Sequence, residues 1–383
     1  MSKGLLAIAF LLAAVLGLEA QEKVGETVYL DGAVSITRDG SALDSSAVVI
    51  GASIDNFDQV ETGDDGTAQV QVTTTRAATS TITVSPDTQF TFELSALEGK
   101  QSSSINLISG SLSLKVSKLN GSQELSIQTE SAVLGVRGTE FSVSTSDAGD
   151  VLVTCAEGAV ACTREDGTEY QAVPGTAVEN QEGAAFRTIP VTGSDLEGFR
   201  RAWLEQRRAA VQANAGRLIQ ANAERYLLLR AAYDKDYEAL MRQQAIISKW
   251  RAEDRKGGMG TNTDVDREKK AVLATLLRLR RAQFLLERVQ FRLVRLKRLH
   301  DQGYGQGTLP SGATTTQFFD QLMRDRPAVN GHMAAIRNMA RLYSLRNGGA
   351  DPTSYSVMFR ERLQQKPARE PLRGLRRPQR TQQ

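Results

Sequence analysis

The chain has 383 residues, with 47 Lys+Arg against 44 Asp+Glu, and only two cysteines and two histidines. That length admits two or three domains, and Cys155, Cys162, His300 and His332 are too few and too scattered to build a metal site. The net charge of +3 hides a split: Gln21–Pro190 holds 9 Lys+Arg and 24 Asp+Glu (net −15), whereas Val191–Gln383 holds 37 and 19 (net +18).

Residues 1–20 begin with Lys3, continue through an apolar run from Gly4 to Leu16, and end at the small residue Ala20. A basic start, a short apolar core and a small exit residue predict a secretory signal peptide cleaved after Ala20, and hence export to the periplasm or beyond. No later apolar run reaches membrane-spanning length, so no transmembrane segment is expected in the mature chain. Only Met1, Ser2 and Lys3 precede the apolar run, so no cytoplasmic regulatory domain is expected before it.

Residues 21–190 read as short strands. Turn pairs recur at Asp31-Gly32, Asp39-Gly40, Asp65-Gly66, Ser109-Gly110, Asn120-Gly121, Glu157-Gly158, Asp166-Gly167 and Pro174-Gly175. Between them lie period-two runs such as Ala68-Val70-Val72, Phe90-Phe92-Leu94 and Leu112-Leu114-Val116, with Thr, Ser and Gln on the other parity. This pattern predicts strands with one wet face, arranged as a solenoid or a sandwich. In Thr129–Phe141 the apolar parity changes, because Leu134 and Val136 share one phase and Phe141 and Val143 the other. The extra residue predicts a bulge or kink, with Gly135 and Gly138 flanking Arg137 supplying backbone freedom. Arg137 is read as part of a structural hydrogen-bond or ion-pair network, the alternative being a ligand-binding cation. Asp64-Asp65 and the pair Asp147 and Asp150 could offer oxygens to Ca²⁺, but neither resembles the twelve-residue loop with a closing Glu, and they read as turn residues. Cys155 and Cys162 flank Glu157-Gly158-Ala159. A hairpin there would let them face each other as a disulfide in an oxidising compartment, and two small buried thiols are the other reading.

At Ser194 the pattern becomes helical, with Ser194-Asp195-Leu196-Glu197 in capping-box form. Helices are expected at about 194–256, 264–300 and 316–346, with Gly216 softening the first and Pro327 breaking the last. The first two should fold back as an antiparallel hairpin or coiled coil, whose apolar stripe would also serve homo-oligomerisation. Arg278, Arg281, Arg288, Arg292 and Arg295 form a basic helix face. An anionic envelope polymer, lipid headgroups, an envelope protein or the chain's own acidic half would suit it, and so would a solvated face paired to acids on the first helix. Nucleic acid is not expected for an exported chain. Residues 348–383 are read as a disordered basic tail.

Asp65-Gly66-Thr67, Gly110-Ser111-Leu112-Ser113-Leu114, Gly135-Val136-Arg137-Gly138-Thr139-Glu140-Phe141 and Glu157-Gly158 follow one another at spacings that resemble the FecR domain family. The resemblance covers roughly residues 50–185. It implies an all-β envelope domain with no catalytic residues to carry over. Members best known for it are inner-membrane signal transducers whose envelope part senses a TonB-dependent outer-membrane receptor and whose cytoplasmic part controls a sigma factor. The long basic helical region is foreign to that pattern. No nucleophile elbow, zinc-protease or phosphate-loop motif is present. The expected protein is a multidomain β plus α chain without enzymatic activity or cofactor, binding a macromolecular partner through its β-domain, with a scaffolding helical region. The alternative is an envelope sensor in a FecR-type relay.

Overall fold

The computed structural model describes residues 23–73, 79–97, 100–117, 123–136, 138–181, 185–191, 195–257 and 264–365. The expected signal peptide, Arg137, Ser194 and residues 366–383 of the expected tail lie outside the described residues. In chain order the strands are β1 (Lys23–Asp31), β2 (Val34–Arg38), β3 (Ser41–Ala42), β4 (Ser53–Asp55), β5 (Gln59–Thr62), β6 (Thr67–Thr73), β7 (Thr79–Val84), β8 (Gln89–Leu97) and β9 (Lys100–Ser109). There follow β10 (Ser111–Val116), β11 (Gln123–Gln128), β12 (Ala132–Val136), β13 (Glu140–Thr145), β14 (Val151–Glu157), β15 (Val160–Arg164), β16 (Glu169–Ala172), β17 (Thr176–Asn180) and β18 (Arg187–Pro190).

These strands form two open nine-stranded sheets. One runs β18-β17-β14-β13-β10-β7-β6-β1-β4 and the other β16-β15-β12-β11-β9-β8-β5-β2-β3. The chain therefore crosses repeatedly between the sheets while advancing along both, as a solenoid advances, yet the architecture is a two-layer stack. The parity that reads apolar in the sequence meets in the middle: Val70, Ile82, Leu112 and Val143 from one sheet face Phe90, Ile105, Ile127 and Leu134 from the other in one core. β9 and β11 pair in parallel because β10 makes its excursion into the opposite sheet between them.

This connectivity explains the phase change in Thr129–Phe141. β12 lies in the second sheet and β13 in the first, so the extra residue is consumed by a crossing and not by a bulge inside one strand. A register shift does occur, but in the pairing of β13 with β14 at Glu140/Phe141. Gly138 has φ +65°, so the turn does need a glycine there. Gly135 is different: it is a regular β12 residue opposite Ser126 and Ala161, and a Cβ on it would meet only Ala161 at an ordinary 3.9 Å. The turn pairs Asp31-Gly32, Ser109-Gly110 and Glu157-Gly158 are likewise crossings between sheets, whereas Asp39-Gly40 and Asp166-Gly167 close hairpins within one.

The same fact corrects the hairpin expected around Gly158. Cys155 on β14 and Cys162 on β15 belong to opposite sheets, and both are free, buried thiols in the shared core. Burial pushes both thiols up, Cys162 to about 12. A thiol-specific reagent at about pH 8 is therefore expected to label neither cysteine in the native protein and both in denaturant. Rapid native labelling of either would show that this core opens.

The helices are α1 (Leu196–Ala213), α2 (Ala215–Met241), α3 (Gln244–Arg255), α4 (Val265–Asp301), α5 (Thr315–Arg346) and α6 (Tyr355–Gln365). The Asp195 carboxylate caps α1 by accepting from the Gly198 N–H at 2.7 Å. The single long helix expected from 194 to 256 is three: Asn214, whose Nδ2 donates to Ala210 O at 2.8 Å, separates the first two, and Arg242-Gln243 the next. The break falls at Asn214 and not at Gly216. α5 carries a full capping box between Thr314 and Gln317, and it continues through Pro327. Leu322 before the proline and Val329 after it are buried in the same apolar core, which holds the two halves in line.

α2 and α4 pack as the expected antiparallel hairpin. Tyr226, Tyr233 and Leu240 on one recur every seven residues, as do Val272, Leu279, Leu286 and Leu293 on the other, and all are buried together. This apolar stripe is thus used inside the chain. α1 lies separately against the first sheet, where Trp203 packs on Leu152, Ala177 and Val191. Residues 351–365, expected to belong to the tail, are folded. Asp351, Thr353, Ser354 and Tyr355 are buried, and Asp351 Oδ1 accepts from the Thr353 N–H at 2.8 Å to start the turn into α6. Sequence pattern missed this because the anchoring groups are polar.

Candidate functional site: the arginine seam between sheet and helices

Over the middle strands of the second sheet the polar parity is not wet. Glu93, Ser104 and Ser126 stand in register across β8, β9 and β11, as do Thr91, Asn106 and Gln128 beside them, and all six are buried. What covers them is α4. Polar groups removed from water need partners; the basic face of α4 pairs with Glu93 and with main-chain oxygens, while Ser104, Asn106 and Ser126 keep unpartnered side-chain atoms.

Arg280, fully buried, forms an ion pair with Glu93 and lays its guanidinium over the Tyr355 ring, 4.6 Å from the centroid. Arg288, also buried, donates from Nη2 to the main-chain oxygens of Leu107 (2.8 Å) and Gln128 (3.3 Å) and from Nη1 to Phe284 O (2.7 Å). Among the described residues no carboxylate bonds to it, and burial pushes its guanidinium down to about 10, still charged at neutral pH. Arg292 Nη2 meets Glu130 at 2.8 Å, and Arg225 of α2 reaches the other oxygen of the same carboxylate at 2.7 Å. Arg295 Nε meets Asp147 at 2.6 Å, and Arg298 meets Asp87 at 2.7 Å. From α5, Arg337 pairs with Glu287 and donates to Gln59 Oε1 at 2.7 Å, and Arg341 meets Asp39 at 3.0 Å. The basic half docks on the acidic half.

Of the five arginines expected on one face, Arg288, Arg292 and Arg295 come together on this seam. Arg278 points elsewhere, to Asp236 on α2 at 2.9 Å. Arg281 is exposed at the mouth of a cleft of about 130 Å³ floored by Thr129–Val133 and walled by Phe284 and Tyr355. Arg280 is the most buried arginine of the stripe and pairs with Glu93, while Glu130 and Asp87 take Arg292 and Arg298. Asp147, read as a turn residue, is an arginine partner. Helical periodicity marks the basic stripe, but nothing local marks acids drawn from separate strands and turns. Of the motif residues, Val136 and Phe141 are buried in the core, Thr139 is buried at the crossing, and Glu130, just upstream, is what joins the motif to the helices.

Acidification is expected to weaken this seam. Burial pushes the Glu130 carboxyl up, but Arg292 and Arg225 beside it outweigh that and hold it at about 2. A carboxyl lowered on folding stabilises the fold above its unfolded value, near 4.5, and that contribution is lost as the pH falls toward 2. Glu130→Gln should cost about 3 kcal/mol near neutral pH and converge with the parent below about pH 2. Denaturant midpoints across that range test this, and parallel pH profiles for the two proteins would refute it.

Among the described residues no group of three or more His, Cys, Asp or Glu could hold a metal ion, and no helix is long and apolar enough to cross a membrane. The arrangement is a fold-locking polar seam. Comparison with known proteins places the β-domain. Residues 58–161, which span β5 to the start of β15, match the FecR protein family, so the resemblance carried by the Gly110 and Gly135–Phe141 motifs holds. The remaining strands extend the same two sheets on either side of that match. Two crystal structures from Parabacteroides distasonis, each described as a "putative anti-sigma factor", are similar to 37% of this chain at 11% identity, with TM-scores of 0.31. The match spans 63% and 64% of those chains' own lengths. No curated protein matches.

Proposed function

We propose that this chain is a non-enzymatic, FecR-type signalling component of the bacterial envelope, whose β-domain receives a protein partner while its own helices cap the second sheet. The observation that carries this reading is the FecR match over residues 58–161, on a domain whose helices already cover the middle strands of one sheet. Export, expected from residues 1–20, agrees with an envelope location. An anionic polymer as the main partner is less well supported, since Arg288, Arg292 and Arg295 are spent on the chain's own carbonyls and carboxylates. The surface best suited to a partner is the outer face of the first sheet. There Gln69, Gln71, Thr81 and Thr83 stand paired across β6 and β7, polar and half-buried.

A scaffolding role through self-association is the second reading, favoured by Leu227 and Leu228 of α2, which are 48% and 75% exposed. The two separate in one experiment on the full chain in its native envelope, with a photo-crosslinking residue at Gln71, Thr83 or Leu228. Capture of one distinct protein from Gln71 or Thr83, with a transcriptional change on deletion, supports the relay. Capture of a second copy from Leu228 without that change supports the scaffold. Capture of nothing from any position would sink both.

A further inference from the structure

A second set of arginines behaves unlike the seam. Arg200, Arg207 and Arg208 of α1 line a cleft of about 190 Å³ against the loops of the first sheet at Ser85–Asp87, Gly110 and Ser146–Asp147. Their spacing, two helical turns from Arg200 to Arg207 and Arg208, puts them on one side of the helix. The cleft also holds Arg295, so four guanidiniums face two carboxylates, Asp87 and Asp147. Both of those carboxylates are engaged by Arg295, and Asp87 also by Arg298.

None of the three α1 arginines has an ion pair among the described residues. Arg200 donates from Nη1 to two neutral hydroxyls, Ser113 (2.8 Å) and Ser142, while its Nε is buried without a partner. The Nε of Arg207 is buried and unpartnered as well. Burial pushes the Arg200 guanidinium down, with only Glu197 acting against it. Buried N–H donors of a charged group are costly to leave unmet. Arg280 and Arg288 on the seam also leave Nε unpartnered, but their Nη atoms meet a carboxylate or main-chain oxygens, and among the described residues Arg207 meets neither.

We propose that this cleft binds a phosphate-type oxyanion, free or carried on a phosphoester. The guanidinium fork matches phosphate oxygens two at a time, and convergent forks suit a group with more than one charge. The proposal stands apart from the signalling assignment, because it rests only on donors in this cleft.

The test is titration of inorganic phosphate into the full chain, followed by calorimetry, for the parent and for Arg207→Gln, Arg208→Gln and Arg278→Gln. Saturable binding is expected, weakened about tenfold or more by Arg207→Gln. Arg208→Gln, at an exposed position that folding does not need, should weaken it too, and Arg278→Gln, on the far helix pair, should not. Co-sedimentation with phosphatidylglycerol vesicles but not phosphatidylcholine vesicles, reversed by free phosphate, would assign the group to a lipid headgroup. Phosphate binding without vesicle binding would assign it to a soluble phosphoester. Absence of saturable phosphate binding, or equal binding by the parent and both cleft variants, overturns the proposal.

Discussion

Glu93→Ala is expected to destabilise the protein by about 3–5 kcal/mol, the cost of leaving one member of a buried ion pair without its counter-charge. Arg280 is fully buried between α4 and the second sheet, and among the described residues no other carboxylate is bonded to it. The pair is itself under-satisfied, since Glu93 Oε2 and Arg280 Nε have no hydrogen-bond partner. Replacing both members together, with Glu93→Leu and Arg280→Met, should therefore recover most of the loss, as apolar pairs of similar volume commonly do. Denaturant unfolding followed by circular dichroism measures both effects. A loss below about 1 kcal/mol for Glu93→Ala would mean that water reaches the seam and that the two halves are not sealed against each other.

Gly110→Ala should cost about 3 kcal/mol, from backbone strain and overpacking of roughly 1–3 kcal/mol each. Gly110 is the one residue between β9 in the second sheet and β10 in the first, and its φ is +98°. A Cβ there would stand 2.5 Å from Thr88 Cα and 2.7 Å from Asp87 O, both main-chain atoms that cannot swing aside. Its own N–H and C=O are held by Thr145, at 2.8 Å in each case. Gly175 is the control: φ is +86°, but nothing lies within 4 Å of its would-be Cβ, so Gly175→Ala should show the strain alone. Equal losses for the two variants, measured by thermal unfolding, would show that the crossing at Gly110 is not tightly packed.

Much of the β-domain could be read from alternation, because a strand buried on one side writes its period into the chain. Leu112-Leu114-Val116 and Phe141-Val143 land in the core as their parity demands. The parity change between Val136 and Phe141 was legible as an event but not as a kind of event. A bulge and a crossing between sheets each consume an odd residue, and only pairing partners tell them apart. For that reason Cys155 and Cys162 seemed able to share a hairpin and instead sit on opposing sheets. The arginine stripe of α4 was visible as charge, but its counter-charges were not, since Asp87, Glu93, Glu130 and Asp147 are scattered over strands and turns that only the sheets bring together. The α1 cleft went unread for the same reason, as its deficit is a missing partner.

By itself the sequence determined the two classes of structure, the turn at about residue 190 from acidic strands to basic helices, and the FecR-type motif. Periodicity and net charge are properties of neighbours along the chain, and they survive without a fold. The tertiary structure alone decided that the two halves lock together and that the basic face is spent on the chain's own acids. Docking depends on which distant groups are desolvated in the same place, and no local pattern records that.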